Sequence, residues 1–300
     1  MLVQELAYCG DLDFVEELQE LKEVLKQKNI IIGVVESQEG ITHIVKLICD
    51  DDSYDQNICN RINLYISNIL YEIVIAKYKE KELFEFLTET YFFLKHDEIL
   101  EVEEDIMDVL LKRNKPKDDI FIYCNNKINS ILDKIQECIE ENKEVNINGF
   151  LTFRMRELRE DIEDIIEKVV EGYMVEKEYK EFIKLLKYFV DIQESKMEKV
   201  NIYVLENAKY KITDGYDEDI FTSFLKDLSE CKLGIDANVE DIIISGLITN
   251  SPKCINIYGR ENCANKEFID TIVNVFGDRV RICSNKKMCE KSIDMQKSWW

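Results

Sequence analysis

Three arginines in one short run, Arg154, Arg156 and Arg159 of "GFLTFRMRELR", are the residues of this chain best suited to holding an anion. A guanidinium presents a planar fork of donors that grips a carboxylate or a phosphate at two points. The run follows the helix-breaking "NINGF" and reads as the first turn of a helix. A cation there opposes the helix dipole, at a cost of a few tenths to ~1 kcal/mol. Residues set against local preference usually answer to a partner or a ligand. Phe150 and Phe153 flank Arg154 and would strip water from it. Its nearest logical partners are Glu176 and Glu178, provided the chain turns back after Gly172, and Lys177 would line the same polar pocket. Such a cluster is either a buried structural Arg–Glu pair or a polar pocket for a small ligand, and both remain open.

Other chemistry is thin. The chain has no Gly-x-x-x-x-Gly-Lys or Gly-x-Gly-x-x-Gly phosphate loop and no Gly-x-Ser-x-Gly elbow. Paired carboxylates are everywhere, and with 61 acidic residues they single out nothing. "EVEED", Glu101 to Asp105, lacks the glycine and the spacing of a calcium loop and fits a solvated helix start. The pairs Cys254/Cys263 and Cys283/Cys289 lack the close knuckle spacing of a zinc site. The ten cysteines therefore read as reduced thiols serving as small apolar residues. No catalytic residue, metal or cofactor is expected, which leans against an enzyme.

A formal charge of −22 repels phosphate backbones and anionic membrane faces, so nucleic acid is a poor partner and a protein a better one. No run has the ~18 uninterrupted apolar residues of a membrane span. The beginning, "MLVQELAYCGDLDF", lacks the basic head and apolar run of a signal peptide, and the expected location is the cytoplasm.

The densest mixture of lysine, glutamate and aromatic residues is "EKEYKEFIKLLKYFVDIQE". On a helix, Tyr179, Phe182, Ile183, Leu186, Phe189 and Val190 share one face, which Leu185, Tyr188 and Ile192 widen beyond half the circumference. That arc is expected to be core. Lys177, Lys180, Lys184 and Lys187 form a basic ridge, and Glu157, Glu160, Asp161, Asp164, Glu167 and Glu171 an acidic strip before it. Both are expected to be solvated, each pair contributing well under ~1 kcal/mol.

The elements that must position these residues follow from periodicity. "LVQELAY" is a strand, Leu12 to Lys28 a helix, and "NIIIGVVES" and "THIVKLIC" a hairpin around Gln-Glu-Gly. Residues 53–195 are almost all helical, with a linker at Pro116 and a bend or tight connection between Gly172 and Glu176. "KVNIYVLE" and "AKYKITD" make a second hairpin around Asn207. After helices at Asp219–Glu230 and Val239–Asn250, "KCINIYG", Lys266–Phe276 and "RVRIC" form a strand-helix-strand unit suited to parallel pairing. The expected fold is α+β: a small α/β layer over residues 1–52, a helical region over 53–195, a C-terminal α/β region over 196–283, and a disordered tail over 284–300.

The run from Asn148 through "NGFLTFRMRELREDIEDIIEKVVEGYMVEKEYKEFIKLLKYFVDIQESK", with "EDIIISGLITNSPKCINIYG" and "VFGDRVRIC", resembles the YtxC family, proteins linked to sporulation in endospore-forming Firmicutes. The residues carrying the resemblance are Gly149, Phe150, Phe153, Arg154, Glu176, Lys177, Glu178, Tyr179, Phe182, Leu186, Phe189 and Gln193. It implies a role connected with sporulation and brings no catalytic residue, cofactor or ligand. The expected function is accordingly non-enzymatic and exercised through protein contacts, with a small-ligand pocket at Arg154, Glu176 and Glu178 as the alternative.

Overall fold

Few glycines and only two prolines leave long stretches without a breaker, and helices dominate the computed structural model. It describes residues 1–10, 12, 14–27, 30–50, 55–113, 118–205, 209–230 and 238–283. The Pro116 linker, the turn at Asn207 and the tail from Ser284 lie outside the described residues. The chain divides into two units, one spanning Met1–Met174 and the other beginning at Val175.

In the first unit, β-branched alternation builds β1 (Leu2–Cys9), β2 (Ile32–Glu39) and β3 (Thr42–Cys49) around the helix α1 (Val15–Lys26). β1 pairs antiparallel with β3 and parallel with β4 (Glu144–Asn146), giving the order β2-β3-β1-β4. Gly40, at φ +64°, makes the tight turn between β2 and β3 that the Gln-Glu-Gly signal predicted. At three residues β4 is too short to show alternation, and sequence reading missed it.

The helices α2 (Gln56–Tyr78), α3 (Phe84–Thr90), α4 (His96–Leu110) and α5 (Asp118–Glu141) follow, with a π-helical turn, Lys79–Leu83, between α2 and α3. α2 buries Ile62, Ile66, Leu70, Tyr71, Val74 and Ile75, more than one face, as its broad apolar stripe predicts. These residues join Leu6, Leu18 and Leu47 of the sheet layer in one apolar cluster.

The long helix α6 (Ile147–Ile192) supplies residues to both units. It begins at Ile147, with Asn146 Oδ1 accepting from the Gly149 N–H at 2.9 Å as a cap. No bend occurs at Gly172. A Cβ there would stand 2.6 Å from Ile120 Cδ1, so this glycine makes room for the neighbouring α5 instead of breaking its own helix.

The second unit holds β5 (Lys199–Leu205), β6 (Lys209–Thr213), α7 (Phe221–Glu230), α8 (Val239–Asn250), β7 (Cys254–Tyr258), α9 (Lys266–Phe276) and β8 (Val280–Cys283). The order β6-β5-β7-β8 pairs β5 antiparallel with β6 and parallel with β7, which is parallel to β8. β7 is central, and its buried run from Ile255 to Tyr258 is what a strand covered on both faces requires.

The fold is α+β, with one four-stranded sheet in each unit and helices between them in sequence. Among the described residues no helix is long and apolar enough to cross a membrane. Seven of the eight described cysteines are free thiols, as expected; Cys283 departs from that expectation and is disulfide-bonded.

Candidate functional site

The second half of α6 presents a row of large apolar side chains to solvent. Val175, Phe182, Leu185, Phe189 and Ile192 are 62%, 53%, 52%, 42% and 59% exposed. Their steps of seven, three, four and three residues are those of an a/d seam, the pattern with which one helix meets another. Tyr179 and Tyr188 flank the row, also exposed.

Sequence reading assigned this whole arc to the core, and the structure divides it. Val190 is fully buried, and Ile183 and Leu186 pack half-buried against the apolar cluster of the second unit. The remainder is surface. An arc wider than half a helix needs more than one neighbour to cover it, and helical periodicity cannot say how many neighbours there are.

The row is held on a fixed support. Ser251 Oγ donates to the Val190 carbonyl at 3.0 Å, and Arg279 pairs with Asp191 at 3.5 Å. The Tyr179 hydroxyl and Thr271 Oγ1 share a hydrogen bond of 3.1 Å that ties the near edge to α9. Lys180, Lys184 and Lys187 are exposed, as expected of the basic ridge, and Lys180 lies 4.0 Å from Glu176 on its own helix.

The acidic strip is different. Asp161 is buried, and Lys127 Nζ reaches its carboxylate at 3.3 Å and Asp164 at 2.6 Å, while Lys134 donates to Asp161 from two turns further along α5. Burial pushes Asp161 up, but the bonds from Lys134 and Lys127 outweigh it and hold the carboxyl below its usual range. These partners lie on a helix distant in sequence, and no local pattern reveals them.

The residues read as a polar pocket are distributed along α6. Arg154 donates to Glu157 Oε2 at 2.7 Å and is 43% exposed, and that bond raises its pKa further. Because α6 begins at Ile147, Arg154 is past the first turn, and the predicted conflict with the dipole is absent. Phe150 is buried, whereas Phe153 is 78% exposed and does not desolvate its neighbour. The reversal after Gly172 that would return Glu176 and Glu178 toward Arg154 is replaced by continuous helix. Glu178 is exposed and Lys177 half-buried. Among the other residues of the family signature, Gly149 takes the cap bond, and Gln193 lies exposed just beyond the end of α6.

Comparison with known proteins places residues 64–281 in a match to the YtxC-like family, a span that starts well before the Asn148–Cys283 stretch recognisable by eye. The chain is 26% identical over 237 residues to "Uncharacterized protein YtxC" of Bacillus subtilis (strain 168), covering 74% of this chain and 77% of that protein. No solved structure matches the chain.

Proposed function

The chain belongs to the YtxC-like family, and from that premise we propose that it is a sporulation-associated, non-enzymatic protein of the cytoplasm that acts by binding another protein through the outer face of α6. One observation carries the reading: the exposed row from Val175 to Ile192 at a/d spacing. Burying a Phe, Leu, Ile or Val side chain is favourable by about 1.5–3 kcal/mol. Several together supply enough to outweigh the several kcal/mol lost on association. An apolar row of this spacing is what a contact site looks like before its partner arrives.

The test is recovery of the tagged chain from sporulating cells, beside a Phe182→Glu/Phe189→Glu variant. The wild type should bring down a stoichiometric partner that the variant loses, with the two melting alike. A wild type recovered alone and monomeric, or a variant that keeps the same partner, ends the proposal.

A further inference from the structure

A cleft of about 650 Å³ opens in the first unit, lined by Lys77 of α2, Lys81 and Glu82 of the π-helical turn, and Arg156 and Arg159 of α6. Among the described lining residues there are four cations to one carboxylate, a local inversion in a chain with 61 acidic and 39 basic residues. We infer that this cleft binds the phosphate group of a small molecule, a phosphomonoester, with Arg156 and Lys81 as the ligand-facing cations.

The charges divide by occupation. Arg159 is held by Glu82 at 2.6 Å and Lys77 by Glu80 at 2.6 Å. Arg156 and Lys81 are exposed and form no ion pair among the described residues. Like charges gathered in a concavity repel one another until an anion enters, and a dianion answers them better than a carboxylate. Arg156 supplies the fork that matches phosphate oxygens, and Lys81 a point charge.

Backbone geometry supports the assignment. Lys81 and Glu82 sit on the π-helical turn, a rare distortion that is frequent at functional sites. Asn148 ties the α6 wall to β1: its amide accepts from the Cys9 N–H at 2.7 Å and donates to the Cys9 carbonyl at 3.1 Å. Leu151 and Met155 give that wall an apolar part against which an organic group on the phosphate can lie. The volume falls within the ~300–1,000 Å³ of small-molecule sites.

Calorimetric titration of the full chain at constant ionic strength with inorganic phosphate, phenyl phosphate and benzoate tests this. Phenyl phosphate should saturate a single site, with benzoate at least ~10-fold weaker, a gap of about 1.4 kcal/mol. Inorganic phosphate weaker than phenyl phosphate supports an esterified ligand; equal affinity supports free phosphate at the same cations. Arg156→Glu should weaken phosphate binding at least ~10-fold and Lys81→Gln by less, while Lys187→Glu, on the basic ridge, should leave it unchanged. Both cleft residues are exposed, and matched melting curves should show that the variants fold. The inference is overturned by no saturable phosphate binding at millimolar concentration, by benzoate binding equally well, or by an Arg156→Glu variant that binds like the wild type.

Discussion

The ring of Phe224 on α7 fills the space that a side chain at Gly246 of α8 would need: a Cβ there would stand 2.3 Å from ring carbons Cγ and Cδ2. Phe224 is fully buried in the core of the second unit and cannot swing outward without opening a cavity.

Gly246→Ala is therefore destabilising although alanine is the better helix former. The gain in helix propensity is about 0.5–1 kcal/mol, while overpacking a tight core costs typically about 1–3 kcal/mol and here displaces a whole ring. Amide exchange in β5 and β7 should quicken accordingly. Adding Phe224→Leu to Gly246→Ala should recover part of the loss, and a double variant no better than the single would show that the clash is not the cause.

Asp161 makes stability of the first unit depend on acid. Its folded pKa lies below the ordinary 3.8, so its contribution is complete above that value and is lost as pH falls through the folded one. Asp161→Asn leaves Lys134 without its carboxylate and removes one of two partners from Lys127. The loss at pH 7 is about 1–3 kcal/mol. Urea melts of wild type and variant should differ by a constant amount from about pH 8 to 5 and converge only as pH falls below 3.8 and through the folded pKa. A gap that persists into acid would mean that packing, not charge, accounts for the effect.

The strands and helices were legible because hydrophobic period is a local signal. Val239–Asn250 and Lys266–Phe276 occur where periodicity puts them, and the β7–β8 pairing is parallel, as a helix-length connection implies. Gly172 misled because the residue that matters to it, Ile120, belongs to another helix. The cluster of arginines in the sequence does not separate its members. Arg154 is satisfied by Glu157 one turn on, whereas Arg156 faces a cleft whose other cations come from Lys77 and Lys81. Contacts between distant segments are absent from a single sequence, and so were Lys127 and Lys134 as partners of Asp161.

The division of α6 into core and surface is open to a direct comparison between two side chains eight residues apart in sequence, Phe182 and Val190. Val190 is fully buried and Phe182 half-exposed. Val190→Ala empties part of the second unit's core and should cost about 1–3 kcal/mol. Phe182→Ala removes far more apolar surface, yet that surface is already in water, and the change in stability should stay within about 0.5 kcal/mol. Had the whole arc been core, the order would reverse, because an aromatic truncated in a core costs about 3–5 kcal/mol. Denaturant midpoints of the two variants decide it. Phe182→Ala should then show its effect only in partner binding, since a residue that matters to contact and not to folding is the mark of a surface kept apolar for another molecule.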